Sequence, residues 1–206
     1  MDVAIPIFDG LTALDAIGPY EVLSRLPDAR VHFLALEAGP KRTGDGMLTL
    51  TADRALDDLT APEVIVMPGG YGTRELMHDE RMLSWVRAIH ETSAWTTSVC
   101  TGSLVLGAAG ILDGLEATTH WTMMDTLDKL GATAVNRRVV EQGRVITAAG
   151  VSSGIDMALT LAARIAGDQV AQAIQLAIEY DPEPPFDSGS VAKASPEVIA
   201  LARKRS

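Results

Sequence analysis

The chain is poor in cysteine, in basic residues and in long apolar runs. Cys100 is the only cysteine among 206 residues. One cysteine excludes an internal disulfide and suits a reducing compartment. It also excludes a thiolate cage. The four histidines, His32, His78, His90 and His120, form no HxH or HxxxH pair, so no metal site is expected. Lys and Arg total 17 against 27 Asp and Glu, a net charge of −10. Nucleic-acid binding needs clustered Lys and Arg to meet phosphates, so this balance argues against it. The one basic cluster, "ARKRS" at 202–206, reads as the solvated end of a last helix. No stretch approaches the roughly 18–20 apolar residues of a membrane span. The N-terminus lacks the basic and apolar regions of a signal peptide. The expectation is a soluble cytoplasmic protein with neither nucleic-acid nor membrane partners.

What is present is an alternation of short β-branched runs with longer helical stretches. Strands are predicted at 3–8, 30–36, 63–67, 95–99 and 116–120, with an extended arm at 47–56. "RRVVEQGRVITAAG" (137–150) reads as a hairpin around Gly143. Helices are predicted at 14–26, 80–91, 101–112, 121–131, 153–167 and 168–180. Met82, Leu83, Val86 and Ile89 share one helical face. Asp168 is placed as an N-cap, and Pro19 is allowed only near a first turn. The segment 181–190 holds three prolines and reads as a loop. "SPEV" then opens a short helix over 195–205. The pattern predicts one α/β domain over 1–206, with a mostly parallel sheet covered by helices on both faces. In such sheets the active site lies at the carboxyl ends of the strands.

Three strand ends therefore matter most. "TTSVCTGSLVLGAAG" (96–110) puts Cys100 between a β-branched strand and a small-residue helix. That is the setting of a nucleophile on a sharp turn, where a helix N-terminus lowers a thiol's pKa. The alternative is a cysteine serving as a small buried hydrophobe. "MPGGYG" (67–72) puts Gly69 and Gly70 where backbone N–H groups can face developing negative charge; a plain glycine turn is the other reading. After the first strand come Asp9, Asp15 and Glu21. Asp9 reads as a turn residue and Glu21 as solvated. Asp15 sits in an apolar stretch, as a carboxylate seeking a partner or as a helix cap. His120 in "TTHW" reads equally as a general base and as a hydrogen-bonded structural histidine.

Taken together, these stretches resemble the DJ-1/PfpI superfamily, whose cysteine elbow sits on a flavodoxin-like sheet. Within it the chain looks most similar to the isocyanide (isonitrile) hydratases. "LDAIGPYEVL" (14–23), "PGGYG" (68–72), "TSVCTGSLVLGAAGIL" (97–112), "ATTHW" (117–121), "SGIDMALTLAA" (153–163) and "YDPEPPFDSGS" (180–190) carry the likeness. The resemblance implies a homodimer with no metal or organic cofactor. It implies an isocyanide substrate hydrated to an N-substituted formamide through a cysteine thioimidate. It makes Cys100 the nucleophile and Asp15 its acid, with Thr101 following the nucleophile as in the hydratases. Thr101 and the N–H groups near Gly70 are then expected to position water or stabilise charge. Gly69, Gly70, His120 and Val151 are placed as substrate-binding residues. Two adjacent anions repel, so the pair is expected to share a proton, as a neutral Asp15 donating to a Cys100 thiolate. PfpI-type peptidases place a histidine directly after the cysteine; Thr101 stands there in this chain. Other outcomes within the superfamily are a glyoxalase-like or amide-hydrolysing enzyme, a redox sensor, or a sensor domain working with a helix-turn-helix partner.

Overall fold

The computed structural model describes residues 1–204; Arg205 and Ser206 of the terminal basic cluster lie outside the described residues. β1 (Asp2–Pro6) leads through α1 (Ala13–Leu23) to β2 (Arg30–Ala35). A small hairpin of β3 (Gly39–Arg42) and β4 (Thr49–Ala52) follows, then β5 (Arg54–Ala55) and β6 (Val64–Met67). α2 (Thr73–Leu76) and α3 (Glu80–Thr92) precede β7 (Trp95–Val99), which runs into α4 (Gly102–Ala108). β8 (Glu116–Ala117), α5 (Met124–Lys129) and β9 (Thr133–Ala134) come before the hairpin of β10 (Val139–Gln142) and β11 (Val145–Ala148). α6 (Ser153–Ala166), α7 (Asp168–Ala177) and α8 (Pro196–Arg203) come last.

The main sheet has the order β10-β11-β7-β6-β1-β2-β5. All its neighbours pair in parallel except β10 with β11. The order runs outward from β1 and β6 in opposite directions. Right-handed crossovers then put α1 on one face and α3 and α4 on the other. α6 packs on α1, completing the first layer. β6 reads "VIVM" and is buried throughout, as a strand covered on both faces must be. On α3 the predicted stripe of Met82, Leu83, Val86 and Ile89 is buried, each worth roughly 1.5–3 kcal/mol on removal from water. Asp79 caps that helix by accepting from Met82 N–H at 2.9 Å.

Several expected boundaries move. Pro19 lies inside α1, beyond its first turn, since the helix already begins at Ala13 after the N-cap Thr12. The ring packs against α6, its Cγ 3.3 Å from where a Cβ on Gly154 would lie. The strand expected over 116–120 stops at Ala117. Beyond it Thr118 N–H donates to Thr147 Oγ1 and the Thr119 hydroxyl to the Cys100 carbonyl, so this stretch is tied to the main sheet instead. The helix expected over 121–131 is a 3₁₀ turn followed by α5. Asp168 is the first residue of α7 and does not cap it. Gly167, at φ +85°, ends α6 and precedes α7. The cap by Ser195 is present, accepting from Val198 N–H at 3.4 Å with Pro196 behind it. No helix among the described residues is long and apolar enough to cross a membrane.

Candidate active site

β1, β6 and β7 end side by side, and their following segments meet. After β7 the chain turns at once into α4. Cys100 makes that turn in the left-handed region, at φ +55°. Its N–H donates to the carbonyls of Ala148 and Ala149, both at 3.0 Å, which pins the turn against the end of β11. Such backbone costs a non-glycine residue about 1–2 kcal/mol, so the surrounding structure must hold it. Gly102 allows the tight approach: a Cβ there would lie 2.0 Å from the Met67 carbonyl oxygen. The strand-to-helix cysteine elbow is therefore present, and its thiol is buried at the floor of an open cleft of about 320 Å³. Thr12, Tyr71, Arg74, Met123 and Val151 shape the walls around Cys100.

Asp15 is fully buried on α1. Its Oδ2 accepts from Gly69 N–H at 3.0 Å. Its Oδ1 meets no donor of normal hydrogen-bond geometry among the described residues. The Cys100 thiol is the ionisable group against which this carboxyl sits. The helix-cap alternative for Asp15 falls away, because Thr12 holds the N-cap position. Asp9 accepts from Arg42 N–H at 2.8 Å and Glu21 pairs with Arg25 on the surface; neither reaches the cysteine.

Burial pushes the Asp15 carboxyl up to about 7, against the Gly69 N–H and the Cys100 contact, which favour the carboxylate. Burial, and then the negative charge of Asp15, push the Cys100 thiol up to about 12. The backbone N–H groups of Thr101 and Val151 favour the thiolate but do not win. This corrects the expectation that the helix N-terminus lowers the cysteine. A dry site beside a carboxylate outweighs a helix dipole worth about 0.3–1 kcal/mol.

Gly69 and Gly70 sit at the end of β6 as expected, but their N–H groups are already engaged. Gly69 N–H serves Asp15, and Gly70 N–H donates to Thr101 Oγ1 at 2.9 Å. The N–H groups facing the sulfur are those of Thr101 and Val151. Val151 lines the cleft with φ +26°. Thr101 Oγ1 also lies 3.1 Å from Gly70 O and from Thr73 Oγ1. The Thr73 hydroxyl donates to Gly70 O at 2.8 Å. Thr73 is fully buried and has no signal in the sequence beyond following "PGGYG".

His120 lines the cleft, yet it is also held structurally. Its Nδ1 accepts from Thr122 N–H at 3.4 Å and lies 2.8 Å from Thr122 Oγ1. Its ring centroid is 5.7 Å from that of Trp121. Burial keeps its pKa below the usual value, so it is neutral at pH 7. Among the described residues, no three His, Cys, Asp or Glu side chains gather to hold a metal ion. Tyr71, Arg74 and Met123 belong to the cleft without having been singled out by pattern.

Known proteins share the fold and the sequence pattern. The model of the DJ-1/PfpI family matches residues 1–164. The isonitrile hydratase of Pseudomonas putida is 45% identical over 205 residues, covering 100% of this chain and 90% of that protein. The HTH-type transcriptional regulator CdhR of Pseudomonas aeruginosa is 29% identical over 171 residues, covering 81% of this chain and 50% of the regulator. Among solved structures, a ThiJ/PfpI family protein from Pseudomonas syringae superposes with a TM-score of 0.95 at 33% identity, over 99% of this chain and 85% of that one. DJ-1beta of Drosophila melanogaster shares the fold, with a TM-score of 0.79 at 20% identity over 86% of this chain and 97% of that one. This chain belongs to the DJ-1/PfpI family.

Proposed function

We propose that the protein is an isocyanide hydratase, adding water to R–N≡C to give R–NH–CHO. The observation that carries the reading is the buried Asp15–Cys100 pair at the cysteine elbow, with the carboxyl held near neutrality. The full-length likeness to an isonitrile hydratase supports it. The terminal carbon of an isocyanide is electrophilic and needs three things: a nucleophile, a proton, then water. Ionised Asp15 takes the Cys100 proton as sulfur attacks that carbon, and returns it to the same carbon. The product is a thioimidate, Cys–S–CH=N–R. Asp15 is then a carboxylate again and deprotonates water, which attacks the CH carbon while nitrogen takes the proton. The tetrahedral adduct expels the sulfur, the hydroxyl proton goes back to the pair, and the formamide leaves.

A general base works best with a pKa near the operating pH, and about 7 meets that need. The sulfur's high pKa makes it a strong nucleophile once its proton is removed. Covalent addition splits one hard hydration into easier steps. Thr101 and Val151 N–H groups steady the negative sulfur on departure. The reading uses no metal or organic cofactor, and it includes the homodimeric, cytoplasmic state expected from the family likeness.

The test is a panel of aryl and alkyl isocyanides beside methylglyoxal. Isocyanide loss matched by formamide supports the hydratase. Turnover of the dicarbonyl alone overturns it in favour of a glyoxalase-like enzyme on the same elbow.

A further inference from the structure

Arg74 stands on α2 at the rim of the cleft that holds Cys100. Its guanidinium lies 4.3 Å over the centre of the Tyr71 ring, and Nη1 lies 3.5 Å from the Tyr71 carbonyl oxygen. Among the described residues it forms no ion pair with a carboxylate. Arg25, Arg30, Arg81, Arg87, Arg137, Arg138 and Arg164 each pair with Asp or Glu, whereas Arg42, Arg54, Arg144 and Arg203, like Arg74, do not among the described residues. What distinguishes Arg74 among these is its place at the rim of the Cys100 cleft. In a chain of net charge −10, carboxylate partners are abundant. Stacking on Tyr71 orders the guanidinium without neutralising it. Besides His120 and Cys100, the other cleft walls, Thr12, Gly70, Thr101, Thr122, Met123 and Val151, carry no ionisable side chain. The cleft thus presents, at its rim, one cation without an ion-pair partner, above the buried Asp15–Cys100 pair, on a molecule whose net charge repels anions.

We propose that Arg74 makes this cleft selective for electrophiles bearing a carboxylate. The natural substrate class is accordingly an isocyanide whose organic substituent ends in a carboxylate, an assignment of substrate that rests on the hydratase reading. The guanidinium fork meets a carboxylate with two parallel N–H···O bonds. Isocyanide carbon at sulfur and carboxylate at the rim orient the molecule along the cleft.

Two measurements separate this from the hydratase reading. The first needs no turnover: the rate of Cys100 alkylation by iodoacetate relative to iodoacetamide, followed by intact mass at pH 8. Arg74→Met should lower the iodoacetate-to-iodoacetamide ratio about 3- to 10-fold, the effect of a partly exposed charge pair. The loss should shrink in 0.5 M salt. Arg87→Met, which removes the same charge from the outer face of α3, should leave the ratio where it is. A ratio equal in wild type and Arg74→Met overturns the proposal, as does equal loss in both variants. Resistance of Cys100 to both reagents at pH 8 reflects the raised thiol rather than a closed cleft, and the second measurement then decides the proposal. The second measurement compares kcat/KM for 4-isocyanobenzoate and its methyl ester. Wild type should prefer the acid, and Arg74→Met should lose that preference. An ester preferred equally by both proteins overturns the substrate class and leaves the hydratase standing. Hydration of neither compound, with the alkylation ratio shifted as expected, overturns the hydratase and retains the anion-selective cleft.

Discussion

Replacing Asp15 with Asn should stabilise the fold in a pH-dependent way. Asp15 is fully buried, and its carboxyl is raised from 3.8 to about 7. The sign follows from proton binding. Between those values the unfolded chain has an ionised Asp15 while the folded one keeps the proton. The native state therefore binds more protons, and stability falls as pH rises. At about 1.36 kcal/mol per unit, the whole rise corresponds to about 4 kcal/mol. Of this, about 2–3 kcal/mol is lost between pH 5 and pH 8. Asn keeps the size and can accept from Gly69 N–H through its carbonyl oxygen. Its own packing cost is the same at both pH values and cancels. The assay is urea unfolding of wild type and variant at pH 5, 6, 7 and 8. The variant should gain about 2–3 kcal/mol on wild type from pH 5 to pH 8, with similar m values. A difference that does not change with pH would refute the claim that burial holds this carboxyl near neutrality.

Other outcomes follow from the same geometry. Thr73→Val keeps the shape but removes the hydroxyl beside Thr101 Oγ1; kcat should fall about 2- to 10-fold, with Thr73→Ser restoring it. Gly102→Ala drives a Cβ to within 2.0 Å of Met67 O; unfolding should be easier by about 1–3 kcal/mol or more, measured in urea. His90 lies between Thr96 Oγ1 at 2.8 Å and Arg144 at 3.1 Å, and burial and then the Arg144 charge hold its pKa below 6.5, while Glu91 draws it up. The folded state resists this proton, so the His90 contribution to stability should fall as pH drops through 6.5, and His90→Gln should become more stable relative to wild type between pH 7.5 and pH 5.

The layers of the fold were legible because burial on both faces writes itself as continuous apolar runs, as in β6, and helix burial as the stripe on α3. Cys100 was legible for a related reason: β-branched residues stop and small ones begin where the chain must turn. Asp15 stood out as a carboxyl in apolar company. β3, "GPKR", carried no strand signal, because a polar two-stranded hairpin buries little. The thiol's direction of shift was not legible, since desolvation depends on how chain segments distant in sequence cover the sulfur. The engagement of Gly69 and Gly70 was hidden for the same reason. Their N–H groups could reach a ligand or a side chain, and only the packing of α1 and α4 against the end of β6 decides it. Thr73 and Arg74 were invisible because nothing in "TREL" distinguishes a buried hydroxyl and an unpaired cation from ordinary helix surface.

The central claim is that Cys100 sulfur bonds to the isocyanide carbon. Its most direct measurement is formamide production from an aryl isocyanide by wild type and by Cys100→Ala, with both proteins shown to be folded. The account predicts formamide from wild type and none above the buffer rate from Cys100→Ala. Equal formamide from the two proteins would contradict covalent catalysis at this site.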